Sequence, residues 1–69
     1  MRVVIKQPQT LREVNGMSLS QGVDKASGEP VWFVDNGWDV SETFDEGIKD
    51  ELLNIESDSY FVAVCQAYL

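Results

Sequence analysis

Asp35, Asp39 and Glu46 hold the first, fifth and last places of a twelve-residue stretch, a spacing at which a calcium loop sets oxygen ligands. The likeness ends there, because the third place is Gly37 instead of Asp or Asn and the sixth is Val40 instead of glycine. Asp35, Asp39 and Glu42 also offer carboxylate pairs for glycoside chemistry. That chemistry needs a deep cleft that excludes water, and a chain of 69 residues seldom builds one. Nucleophilic catalysis fails earlier. The sequence has no His to act as base, and its one thiol, Cys65, stands in an apolar stretch where it stays protonated as a core residue. A lone Cys and no His also leave neither an internal disulfide nor an ordinary zinc site. A non-enzymatic protein without metal or cofactor is expected.

The carboxylates suit recognition better than catalysis. The net charge of −7 is unevenly spread: residues 1–28 carry four bases against two acids, residues 29–58 carry ten acids against Lys49 alone, and the last eleven residues carry no charge. A field of that sign repels nucleic acid and anionic membrane, and it attracts basic protein surfaces. Asp45, Glu46, Asp50 and Glu56, with Leu53 among them, line the outward side of an expected helix, and Asp35 and Asp39 stand on the adjoining hairpin. Together they would face a basic groove much as a nucleic acid does, with Leu53 as a central apolar contact. The competing interpretation is a solvated face that keeps an acidic protein soluble. Trp38 is either an exposed aromatic anchor or a cross-strand partner within its hairpin. Trp32 is the better surface residue if the helix covers the Phe33 side of the sheet.

Residues 43–69 are the elements that must position these groups. Thr43 and Glu46 have the spacing of a capping box, and Phe44, Ile48, Leu52 and Ile55 recur on one side of a helix spanning about 43–56. After a turn at Ser57, Asp58 and Ser59, residues 60–69 alternate as a strand. Phe61, Ala63, Cys65, Ala67 and Leu69 lie on the helix-covered side of that strand, and Tyr60, Val62, Val64, Gln66 and Tyr68 lie on the other. Upstream, residues 2–6, 17–21 and 31–34 have strand character, and residues 11–15 form one or two helical turns or an irregular loop, with Asn15-Gly16 as a helix stop. Asn36-Gly37 suits a two-residue type I′ turn that would pair Phe33 with Val40 and Asp35 with Trp38.

The fold class that follows is α+β: a single domain over residues 1–69, with a four- to five-stranded, mostly antiparallel sheet and one main helix packed on one face in two layers. Trp32, Tyr60, Val62, Val64 and Tyr68 would make the other face too apolar to leave to water, so a homodimer or a partner is expected to cover it. A sheet curved onto itself is the structural alternative. The longest uncharged run, about eleven residues, is too short to span a bilayer, and the apolar stretch Val3, Val4 and Ile5 is too short for a signal peptide, so a cytoplasmic protein is expected. Size and charge together suggest a small interaction module of the inhibitor, antitoxin or immunity type, of the sort carried by phage or mobile elements. Its partner would be a protein with a basic, nucleic-acid-binding surface. The alternative is a homodimeric accessory protein whose apolar sheet face is the interface.

Overall fold

The tightest turn among the described residues is Asn15-Gly16, where both take positive φ, 51° and 86°. Two consecutive left-handed residues make the type I′ turn whose twist matches antiparallel strands, and Val14 pairs directly with Met17 across it. The computed structural model describes residues 5–69, apart from the side chains of residues 5–7 and 42–44. Strands β1 (Ile5–Val14), β2 (Met17–Asp24), β3 (Pro30–Asp35) and β4 (Val40–Phe44) form one antiparallel sheet in chain order. Two helices follow, α1 (Glu46–Leu53) and α2 (Asp58–Tyr68). The α+β class is therefore observed, with four strands among the described residues and two helices there in place of one. The expected strand at Val3 and Val4 lies outside the described residues, and Ile5 and Lys6 open β1.

The register sorts the side chains onto two faces. Val14 opposite Met17, Arg12 opposite Leu19, Leu19 opposite Val34 and Gln21 opposite Trp32 all share one side. That side carries the core: Met17, Leu19, Trp32 and Val34 pack with Leu52 of α1 and with Phe61 and Cys65 of α2. Both helices thus cover the Trp32 side, not the Phe33 side, and Trp32 is a core residue whose Nε1 donates to Gln21 Oε1 at 3.1 Å. Complete burial of side chains such as Leu19 or Phe61 contributes roughly 1.5–3 kcal/mol each. On the opposite face Val31 and Phe33 are buried as well, across from the small residues Gly22 and Ser20.

β1 was expected to break into a short strand and a helical turn, and instead it runs ten residues. Its pairing with β2 slips twice, once across Pro8 and once at Leu11, so its side chains lose the period of two that marks a strand. Proline donates no backbone hydrogen bond, and its place here is on an edge strand at an irregularity. Thr10 and Glu13 have the spacing of a capping box, yet that spacing caps no helix. It sits in extended backbone.

The larger correction is at the C-terminus, where residues 58–68 are helix and not strand. Ser57 caps α2, its Oγ accepting from Tyr60 N at 3.2 Å, and Asp58 stands in the first turn near the positive end of the helix dipole. Phe61, Cys65 and Leu69 recur every four residues on the buried side, while Tyr60, Ala63, Gln66 and Ala67 are exposed. The helix before it is also shorter than expected. Thr43 belongs to β4, and the N-cap of α1 is Asp45, whose Oδ1 accepts from Ile48 N at 2.8 Å. Ile48, Leu52 and Ile55 pack into the core as their spacing implied; the side chain of Phe44 lies outside the described residues.

Arg12 ties these parts together. It shares the helix-covered face with Leu19, and its Nη1 donates to the carbonyl oxygens of Leu52 and Ile55 at 3.1 and 2.5 Å. Its Nη2 meets Asp58 Oδ1 at 3.2 Å, and its guanidinium carbon lies 4.3 Å from the Phe61 ring centroid. α1 has no basic residue in its last turn, so Arg12 supplies from β1 the cation that the negative end of that helix favours. One side chain thereby fixes the end of α1, the start of α2 and the ring at the centre of the core.

Candidate interaction surfaces

The loop between β3 and β4 has four residues, not two. Asp35 pairs with Val40 and Val34 with Ser41, so Asn36, Gly37, Trp38 and Asp39 all lie outside the ladder. Its geometry is held by side chains: Asp35 Oδ1 accepts from Gly37 N at 2.5 Å, and Asn36 Oδ1 accepts from Trp38 N at 2.8 Å and from Asp39 N at 2.7 Å. Asn36 N closes the loop onto Asp39 O at 3.2 Å. The cross-strand position expected for Trp38 does not exist in this register. Its side chain projects from the tip, 91% exposed, with Val40 half-exposed beside it.

The acidic residues named from the sequence fall into two groups. Asp35 and Asp39 flank Trp38 at the loop, whereas Asp45, Glu46, Asp50, Leu53 and Glu56 belong to α1 and its flanks. β4 separates Asp39 from Asp45, roughly 15–20 Å for an extended strand of that length. The same strand keeps Asp35 and Glu46 from closing a calcium loop, and among the described residues no group of three or more potential ligands gathers to hold a metal ion. On α1, Glu46, Asp50 and Leu53 share the outward side by their i, i+4 and i+7 spacing, and all three are exposed. Asp45 is committed to capping. Asp50 Oδ1 lies 2.6 Å from Lys49 Nζ, and that ammonium also stands 5.6 Å from the Trp32 ring centroid.

The residues expected on a second sheet face are not on the sheet. Tyr60, Val62, Val64 and Tyr68 lie on α2; Val62 and Val64 are half-buried against the core, and Tyr60 and Tyr68 are exposed. With Trp32 buried beneath the helices, the five share no surface. The outer side of α2 is instead a smaller uncharged strip of Tyr60, Ala63 and Ala67. Cys65 is fully buried; desolvation pushes its thiol pKa up, and the nearby Arg12 charge offsets only part of that. Such a thiol is a poor nucleophile.

Arg12 was the residue whose importance the sequence concealed. The signal available was an adjacent base and acid, Arg12-Glu13, between Leu11 and Val14, one of which can point inward on an edge strand.

Fold and surface define a class: an antiparallel four-stranded meander backed by two helices on one side, with an aromatic side chain held out on a hydrogen-bonded loop. No protein-family model, no curated protein and no solved structure matches the chain. No helix among the described residues is long and apolar enough to cross a membrane.

Proposed function

We propose that this protein is a small, non-enzymatic interaction module that binds a basic protein surface, with Trp38 as its apolar anchor and the surrounding carboxylates setting orientation and approach. The observation that carries this is Trp38, 91% exposed on a loop whose amides are already held by Asp35 and Asn36. A large aromatic left in water forgoes most of the stabilisation that burial would give it, and tryptophan is the residue most enriched at binding hot spots. A loop fixed in advance also loses little freedom on docking. Glu46, Asp50 and Leu53 on α1 form a second acidic patch with its own apolar residue. Inhibitors, antitoxins and immunity proteins that act in the cytoplasm on nucleic-acid-binding partners use this combination of size and charge, and we place the protein among them.

The test is affinity capture at low salt with the wild-type chain, Trp38→Ala, and Glu46→Gln combined with Asp50→Asn. A partner of high isoelectric point that is lost with Trp38→Ala and released by salt supports the proposal. Retention of the same partner, undiminished, by both variants overturns it.

A homodimer is the second reading, favoured by the uncharged outer strip of α2 in a chain otherwise so acidic. It uses Tyr60, Ala63 and Ala67, and it no longer involves a sheet face. Sedimentation at low micromolar concentration decides it, since a purely monomeric boundary removes this alternative.

A further inference from the structure

The loop that presents Trp38 also brings together the parts of a reaction. Asn36 is followed by Gly37, whose amide nitrogen no side chain of its own obstructs, and a Cβ added there would meet nothing within 4 Å. Asn36 Oδ1 accepts from Trp38 N at 2.8 Å and from Asp39 N at 2.7 Å, two backbone donors on one carbonyl oxygen, as in an oxyanion hole. Gly37 N donates to Asp35 Oδ1 at 2.5 Å, so a carboxylate already holds the hydrogen that this nitrogen must lose to become a nucleophile. Gly37 is exposed, and water reaches it. The other Asn-Gly is set up differently. Val14 offers Gly16 N no carboxylate, and a ladder that closes at once from Val14 to Met17 holds Asn15 left-handed at a φ of 51°.

We propose that Asn36 is a site of self-modification, deamidating in the folded protein through a cyclic imide with Asp35 as general base and Trp38 N and Asp39 N as oxyanion donors. Gly37 N attacks Asn36 Cγ, and the new C–N bond forms as the amide proton passes to Asp35 and negative charge builds on Oδ1. The proton is then handed to Nδ2, the Cγ–Nδ2 bond breaks, and ammonia leaves a succinimide. Water adds to either ring carbonyl and opens the ring, giving aspartate or isoaspartate at position 36. In sum one water is taken up and one ammonia released, with no change of oxidation state. Either product leaves the chain one charge more negative than its present −7. Isoaspartate does more, because it lengthens the main chain through the carbonyl that held Trp38 N and Asp39 N. The hold on Trp38 is then limited in time. The chemistry stands without the proposed binding role, and only its consequence for a partner rests on that reading.

The experiment incubates the full folded chain at neutral pH in water labelled with heavy oxygen and maps it with trypsin at intervals. Cleavage after Arg12, Lys25 and Lys49 puts Asn15 and Asn36 on separate peptides. Heavy oxygen enters where a ring has opened, and a methyltransferase specific for isoaspartate marks the rearranged product. The expected result is label at Asn36 about tenfold or more faster than at Asn15, a modest share of what a positioned base contributes. In the urea-unfolded chain the two rates should converge, since both dipeptides then lose their surroundings. Asp35→Ser keeps an oxygen that can accept from Gly37 N but removes the base, and it should slow Asn36 by a similar factor with the circular dichroism spectrum unchanged. A rate at Asn36 no greater than that at Asn15, or one untouched by Asp35→Ser, overturns the proposal. So does a difference that persists in urea, because local sequence and not the folded loop would then cause it. None of these results bears on whether Trp38 binds a basic partner, which the capture experiment judges separately.

Discussion

The chain contains the dipeptide Asn-Gly twice, and the two copies fold differently. At Asn15-Gly16 both residues are left-handed and the strands meet at once, Val14 against Met17. At Asn36-Gly37 only Gly37 has positive φ, 92°, and pairing resumes two residues later, Asp35 against Val40. The difference lies in the preceding residue. Val14 has no side-chain acceptor, so the first turn is decided by backbone preference alone. Asp35 does have one, and its carboxylate takes Gly37 N while Asn36 Oδ1 takes the next two amides, an arrangement of Asx type that competes with a type I′ turn. One hairpin is therefore set by chirality and the other by side-chain hydrogen bonds, and only the second leaves a tryptophan outside the ladder.

That distinction can be broken most forcefully at the glycines. Gly16→Val puts a β-branched residue at a φ of 86° where an added Cβ would meet nothing within 4 Å, so the whole cost is backbone strain, about 2 kcal/mol. Gly37 also has open space around it, but it sits in a longer loop that can relax, and Gly37→Val is expected to cost about half as much. Urea denaturation followed by circular dichroism measures both, with an unchanged slope showing that only stability moved. Equal losses at the two sites would mean that loop length gives no relief.

A finer separation comes from glycine at the asparagine positions. Asn15→Gly keeps what that turn needs, the positive φ, and should change stability by no more than a few tenths of a kcal/mol. Asn36→Gly removes the acceptor for two amides and should cost about 1 kcal/mol, while Asn36→Asp, which keeps an oxygen in place, should cost less. If Asn36→Gly proved as silent as Asn15→Gly, the side-chain account of the second loop would be wrong.

The same contest between local signals explains how far the sequence could be read. β2 and β3 were evident from the alternation of Met17, Leu19 and Gln21 and from the run at residues 31–34, because an unslipped ladder keeps its period of two. The inward stripe of α1 was evident from Ile48, Leu52 and Ile55. β1 is hidden by its two slips, and with no strand legible before it Asn15-Gly16 has the form of a helix stop. α2 was misread because its outer side carries Tyr60, Ala63, Gln66 and Ala67 with no charge, so nothing marked a period near four against the equally good alternation of Phe61, Ala63, Cys65 and Ala67. Ser57 and Asp58 are the decisive signal, as cap and first-turn acid, but the same residue types suit a turn equally well. Of the candidate site, the exposure of Leu53 and of the α1 carboxylates followed from helical spacing. The separation of Asp35 and Asp39 from those carboxylates, and the exposure of Trp38, depended on where the second hairpin closes, which Asp35 and Asn36 decide through hydrogen bonds that pattern alone does not display.

A substitution expected to change stability little, Trp38→Ala, discriminates best between the two possible hairpins. In the observed loop Trp38 contributes its backbone N–H to Asn36 Oδ1 and leaves its side chain in water, and alanine preserves the first while losing nothing of the second. Trp38→Ala should therefore leave the urea midpoint within about 0.5 kcal/mol of wild type, the ordinary range for a surface change. In a two-residue turn Trp38 would stand opposite Asp35 on the ladder with Val40 paired to Phe33, and truncating an aromatic at such a position removes a cross-strand contact of about 0.2–1 kcal/mol together with the apolar area it covers. The two tryptophans make the measurement internally controlled. Trp32 lies in the core with its indole N–H bonded to Gln21, so the emission that survives in Trp38→Ala comes from a buried ring, and the component removed should be the water-exposed one. A loss of blue-shifted emission instead, with a lowered midpoint, would place Trp38 back on the sheet, and the loop tip would then have no anchor to offer a partner.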